Sequence, residues 1–131
     1  MSQNQVVAIV DDDRSVREAL ADLLQVEGYP TRLYEHGAAL LADAGFDEIG
    51  CVITDVRMPG LNGLDLQRRL RARKPSLPVI FLTSSEDEGL RARALADGAL
   101  AWFTKPVSDD ELLESLRRPL HGSAPATPME R

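Results

Sequence analysis

A single cysteine, Cys51, rules out any disulfide within the chain, so the fold rests on its apolar core, as suits a reducing compartment. No apolar run approaches the ~18 residues of a membrane span. The opening Met1-Ser2-Gln3-Asn4-Gln5 has neither the basic nor the apolar region of a secretion signal, so a cytoplasmic protein without membrane partners is expected. Positive charge is in deficit: the formal net charge of −6 argues against direct nucleic-acid binding, which needs a basic patch. The arginines that do cluster, Arg68, Arg69, Arg71 and Arg73 with Lys74, follow a helical spacing and read as a solvated face. Tryptophan occurs once, at Trp102, and no internal repeat is visible.

What is present is a rhythm. The 131 residues are the length of one domain with one core, and the 44% apolar content suits a folded chain. Short apolar runs alternate with helical periodicities. Strands are expected at Val6–Val10, Thr31–Tyr34, 51–54, 78–82 and 100–103. Helices are expected between them: one carrying Val16, Leu20, Leu23 and Leu24 and closed by Gly28, then 36–44, 64–73 stopped before Pro75, 86–97 ended by Gly98, and 108–118. Ser108 with Glu111 has the spacing of a capping box. Five strand–helix units in succession imply an α/β fold, a parallel sheet with helices on both faces. Residues 1–120 form one domain in this reading, and 121–131, rich in Pro, Ala, Ser and Thr, a flexible tail or the start of a linker. Cys51 heads a buried strand and reads as an inert packed thiol.

Chemistry gathers at the strand ends. Asp11, Asp12 and Asp13 follow the first run, Asp55 the third, Thr83, Ser84 and Ser85 the fourth, and Lys105-Pro106 the fifth. A parallel sheet brings those ends to one edge, where α/β proteins place their binding crevice. Carboxylates crowded there repel by roughly 4 kcal/mol per pair at about 4 Å and an effective dielectric near 20. A hard divalent cation is the obvious relief. Asp13 stands just beyond Asp11 and Asp12 and reads as a first-turn or capping acid for the following helix.

Four stretches, IVDDD (Ile9 to Asp13), TDVRMPGLNG (Thr54 to Gly63), FLTSS (Phe81 to Ser85) and FTKP (Phe103 to Pro106), together resemble the receiver domain of two-component response regulators. The likeness covers about residues 5 to 120. It implies a flavodoxin-like sheet of order 2-1-3-4-5 with five helices. It implies Asp55 as phospho-acceptor, with Mg²⁺ held by Asp11, Asp12, the Asp55 carboxylate and the backbone carbonyl of Arg57. Thr83 would hydrogen-bond a phosphoryl oxygen, and Lys105 would pair first with Asp55 and then with the phosphoryl group. Lys105-Pro106 would be cis. Met58, Pro59 and Gly60 would form the loop after the acceptor, with Gly63 easing the turn into the next helix. Trp102 stands where the family carries an aromatic that couples phosphorylation to the surface; the alternative is a packed strand residue.

The implied partners are a sensor histidine kinase or a histidine phosphotransfer protein. The implied output face is the fourth helix, fifth strand and fifth helix, binding a second copy, an effector domain or another protein. GALAWFTKP (Gly98 to Pro106) looks like receivers attached to helix-turn-helix outputs, yet no DNA-binding segment follows Leu120, leaving open a stand-alone receiver or part of a longer regulator. Three other readings compete. A Mg²⁺-dependent phosphatase would want an acid two residues after its nucleophile, where this chain has Arg57. A flavodoxin-like carrier would want a Ser/Thr/Gly-rich loop after the first strand, where this chain has three aspartates. A degenerate receiver would lack some of the residues named above, and none is missing.

Overall fold

A computed structural model describes residues 6–121. The strands β1 (Val6–Val10), β2 (Thr31–Tyr34), β3 (Ile49–Thr54), β4 (Val79–Thr83) and β5 (Ala101–Thr104) form one sheet of order β2-β1-β3-β4-β5. Every pairing is parallel. The connecting helices are α1 (Arg14–Val26), α2 (Gly37–Ala42), α3 (Gly63–Arg73), α4 (Glu88–Ala96) and α5 (Asp109–His121), with a short 3-10 turn at Phe46–Glu48. The expected α/β fold, order and five helices are what the chain adopts.

The strand period of two sorts the core onto the two faces of the sheet. Ala8, Val10, Val52, Val79 and Phe81 pack toward Leu40 of α2, Leu66 and Leu70 of α3 and Ala94 of α4. Val7, Ile9, Cys51, Ile53, Ile80 and Leu82 pack toward Leu20 and Leu24 of α1 and Leu112 and Leu116 of α5. Because β1, β3 and β4 are covered on both sides, their sequences are mostly apolar and do not alternate with polar residues. Cys51 is fully buried and burial pushes its thiol up to about 12, the inert state expected for it.

Side chains at the helix starts explain where the boundaries fall. Asp13 caps α1, its Oδ1 accepting from the N–H of Ser15 at 2.8 Å, which decides between the first-turn and capping roles expected for it. Ser108 Oγ accepts from the N–H of Glu111 at 3.1 Å. The fourth helix starts at Glu88 instead of Glu86, because the Asp87 carboxylate accepts from the N–H of Gly89 and Leu90 and takes the cap position. β3 starts two residues earlier than expected: Gly50 interrupts the apolar run, but Ile49 is buried and pairs with Val6. α5 runs on through Pro119 to His121. The expected flexible tail falls almost wholly on 122–131, outside the described residues.

Two expectations change in their physical content. Gly63 does not turn the chain through a positive φ, a conformation found here only at Gly28, Gly60 and Gly98 among the described residues. It is a point of close approach between α3 and the main chain of Asp55 and Val56. The basic stretch on α3 is also more than a solvated face. Arg73 lies 4.1 Å over the Phe46 ring and donates to the Leu41 carbonyl at 2.6 Å. Lys74 donates to the Ile49 carbonyl at 2.9 Å, and Arg71 to the carbonyl of Asp97 beyond α4. These long side chains tie α3 to its neighbours through backbone carbonyls, which sequence periodicity cannot show.

Candidate functional site

The register of the sheet assembles the site. Val10 pairs with Thr54, so the residues that follow, Asp11 and Asp55, leave adjacent strands side by side. Thr83 pairs with Thr104, which brings Lys105 alongside the end of β4. The N–H of Asp55 donates to the Val10 carbonyl at 3.2 Å and that of Lys105 to the Thr83 carbonyl at 2.8 Å, so the polar residues are pinned where the ladders end. This edge is the point at which the strand order reverses between β1 and β3, the usual crevice of doubly wound sheets.

Lys105 stands between two acids. Its Nζ donates to Asp11 Oδ2 and to Asp55 Oδ2, each at 3.1 Å. Asp11 is 3% exposed and Asp55 7%, so one ammonium is shared by two carboxylates almost removed from water. Burial raises the Asp11 carboxyl above its ordinary range, against the lowering effects of the Asp13 amide and Lys105. Burial would lower Lys105, but its hydrogen bonds to Asp11 and Asp55, with their charges, raise it overall and keep it a cation. Asp55 Oδ1 accepts from the N–H groups of Val56 at 2.6 Å and Arg57 at 3.3 Å, which aims the carboxylate.

The remaining expected residues fall around this pair. Asp12 is exposed in the loop after β1, and Arg57 is exposed in the loop after β3. Thr83 is 1% exposed, and its Oγ1 accepts from the N–H of Ser85 at 3.2 Å. The Lys105–Pro106 peptide is cis. Trp102 is half-buried; its ring packs 5.5 Å from that of Phe81, at an interplanar angle of 38°. One participant went unseen in the sequence. Arg17 on α1, 9% exposed, donates from Nη1 to the backbone carbonyl of Asp11 at 2.6 Å. The available signal was a charged residue in phase with Leu20, Ala21 and Leu24 on the buried stripe of that helix.

Among the described residues no three His, Cys, Asp or Glu side chains are grouped as a metal cage. That is compatible with magnesium, which binds through one or two carboxylates and keeps much of its water, and poorly compatible with a metal needing an all-protein shell. The possible ligand atoms at this edge, carboxylate and carbonyl, are all oxygen, so the chemistry of the set fits a hard divalent cation.

Comparison with known proteins agrees with this geometry. Residues 7–117 match the family model described as "Response regulator receiver domain". The chain is 39% identical over 118 residues to the "Response regulator protein TmoT" of Ectopseudomonas mendocina, covering 90% of this chain and 54% of that protein. It is 39% identical over 125 residues to the "Transcriptional regulatory protein FixJ" of Azorhizobium caulinodans, covering 95% of this chain and 59% of that one. The chain thus spans about half the length of the curated relatives it matches. Among solved structures it resembles the one titled "Crystal structure of FixJ-N", with a TM-score of 0.80 and 32% identity over 93% of this chain and 98% of that one. No helix among the described residues is long and apolar enough to cross a membrane.

Proposed function

We propose, since the chain belongs to the response regulator receiver domain family, that Asp55 accepts a phosphoryl group from a histidine kinase or histidine phosphotransfer protein. The domain is a signalling switch and not an enzyme. The observation that carries the assignment of Asp55 is the shared ammonium: Lys105 Nζ lies 3.1 Å from both Asp11 and Asp55, so the carboxyl group that would take the phosphoryl group already has a cation beside it.

In this reading the carboxylate oxygen of Asp55 attacks phosphorus in line, the bond from phosphorus to the donor's imidazole nitrogen breaks, and the imidazole leaves with its electron pair and takes up a proton. Asp55 becomes an acyl phosphate. Lys105 keeps its contact through the transfer, moving from carboxylate to phosphoryl oxygen. The Thr83 hydroxyl exchanges its bond from the Ser85 amide for one to the phosphoryl group. Asp11, Asp12, Asp55 and the Arg57 carbonyl would hold Mg²⁺, which when bound neutralises charge on the carboxylate and the incoming oxygens.

The switched surface is α4, β5 and α5. α4 buries only Ala94, the least anchored of the long helices, and Leu95 and Leu100 are exposed near its end. A weakly held helix is the kind of element that two states can share. Its partner is a second copy, an effector domain or another protein, and transcriptional output from a segment outside this chain fits the naming of the FixJ relative. A cytoplasmic location belongs to the same proposal.

The test is incubation with a small-molecule phosphodonor and Mg²⁺, followed by intact mass. Wild type should gain a Mg²⁺-dependent, base-labile adduct, and Asp55→Asn should gain none. Undiminished labelling of Asp55→Asn would remove Asp55 from the role.

A further inference from the structure

Asp11 is held by every polar atom it owns. Its N–H donates to the Tyr34 carbonyl of β2 at 3.1 Å. Its Oδ1 accepts from the N–H of Asp13 at 2.9 Å and its Oδ2 from Lys105 at 3.1 Å. Its carbonyl accepts from Arg17 Nη1 at 2.6 Å. The first three bonds come from the sheet, the adjoining loop and the end of β5. The fourth comes from a side chain that has no evident reason to be buried. Arg17 is 9% exposed, on the inner stripe of α1 beside Leu20, Ala21 and Leu24, and no carboxylate lies within ion-pair distance among the described residues.

Desolvating a guanidinium without an acid is costly, and a packed Leu or Met on that stripe would avoid the cost. What the arginine does that those residues cannot is hold the carbonyl oxygen of the peptide joining Asp11 to Asp12. Rotation of that peptide would swing Asp12 relative to Asp11, because the two are linked through it. Asp12 itself is exposed, and among the described residues its carboxylate makes no hydrogen bond or ion pair, so its position relative to Asp11 depends on the peptide plane.

We infer that Arg17 is a positioning residue: by clamping the Asp11 carbonyl it fixes the Asp11–Asp12 peptide and so sets the two carboxylates for a divalent cation. This deepens the proposed function and rests on its assignment of Asp11 and Asp12 to the metal. The sign of the effect separates positioning from charge. Removing a cation near an acidic cluster should, by Coulomb's law alone, tighten Mg²⁺ binding. Removing a clamp should weaken it, and loss of a residue that orients metal ligands typically costs about tenfold or more in affinity.

The experiment is Mg²⁺ titration by calorimetry of the unphosphorylated protein, at a temperature where circular dichroism shows each variant folded. Arg17→Met should bind Mg²⁺ about tenfold more weakly, and Arg17→Lys, which can still donate one bond, within about threefold of wild type. If Arg17→Met does not fold, Arg17→Gln replaces it, being polar but two atoms too short to reach the carbonyl, and the same weakening is expected. An affinity equal to or tighter than wild type in the folded Met or Gln variant overturns the inference and leaves the metal site standing. Wild type that takes up no Mg²⁺ overturns the metal assignment and this inference with it.

Discussion

Gly63 packs against the main chain of Asp55 so closely that a Cβ there would overlap the Asp55 carbonyl oxygen. The same Cβ would lie 2.8 Å from Val56 Cα and 3.0 Å from Phe81 Cε1. The first turn of α3 therefore sits directly on the backbone that carries the candidate acceptor, and the N–H of Gly63 donates to the Val56 carbonyl at 2.8 Å. Two of the three obstructing atoms are backbone, which cannot rotate aside. Gly63→Ala is expected to destabilise by about 2–3 kcal/mol, as overpacking does. It should also slow labelling of Asp55 by displacing the loop. Urea unfolding followed by circular dichroism measures the first effect, and a midpoint equal to wild type would show that the loop yields without cost.

Trp102 reports on the same region. Its ring packs against Phe81, whose strand ends at Thr83, and it pairs with Phe81 across β4 and β5. Phosphorylation of Asp55 with movement of Thr83 should alter the surroundings of this sole indole. Beryllium fluoride with Mg²⁺ is expected to change the intensity or position of Trp102 emission, and the change should vanish in Asp55→Asn. Emission that stays constant while the ligand demonstrably binds would make Trp102 a packed strand residue and nothing more.

A pH dependence resides at the other end of the sheet. The Tyr34 hydroxyl donates to Asp43 Oδ2. Burial, followed by that hydrogen bond and the Asp43 charge, pushes the Tyr34 phenol up to about 12. The same bond, with the Gly45 amide, holds the Asp43 carboxyl below its usual range. A phenol raised in the folded state adds stability that is complete below its unfolded value near 10 and disappears as pH climbs toward 12. A carboxyl lowered in the folded state adds stability that is complete above its unfolded value near 4 and disappears as pH falls through the folded one. The stability difference between wild type and Tyr34→Phe should therefore be flat from about pH 5 to 9 and shrink on both sides, by up to about 2 kcal/mol on the alkaline side. Denaturant titrations across that range, at pH values where both proteins are folded, check it; a difference that grows above pH 10 would contradict the sign.

Gln67 offers a stabilising change. It is 1% exposed, its Nε2 donates to the Ala94 carbonyl at 2.9 Å, and its Oε1 has no partner among the described residues. The Ala94 carbonyl also accepts from the N–H of Ala99 at 3.0 Å, so loss of the glutamine would not orphan it. Gln67→Met keeps length and volume and removes the unpaired acceptor, a group that costs about 1–3 kcal/mol when buried. The variant is expected to be more stable by about 1 kcal/mol, read as a higher melting temperature. A loss of 1 kcal/mol or more would mean that the bond to Ala94 outweighs the orphaned oxygen.

Much of this architecture is legible in one dimension. Val6–Val10 forms a strand where its apolar run indicates, and Thr31–Tyr34 forms the short strand expected behind Pro30. Strands buried on both faces, as β1, β3 and β4 are, are mostly apolar, and the turn chemistry between them is local. The candidate site is legible for a related reason. In a parallel sheet all strands end on one edge, so Asp11, Asp55, Thr83 and Lys105 are placed together by topology alone, before any side-chain geometry is known. Boundaries governed by one side chain were less visible: Asp87 moved the start of α4 because capping depends on which carboxylate turns back, and Gly50 hid the start of β3.

Local order along the chain determined the elements, the parallel arrangement and the cast of polar residues at one edge, since periodicity, capping and chain direction are properties of neighbours in sequence. Tertiary structure alone decided that one ammonium would be shared by Asp11 and Asp55, that Arg17 would reach the Asp11 carbonyl, that Gly63 would touch the Asp55 backbone, and that the α3 arginines would tie helices together. Each of these contacts joins residues brought together by packing, and its energy depends on distances and burial that exist only once the sheet has closed against its helices.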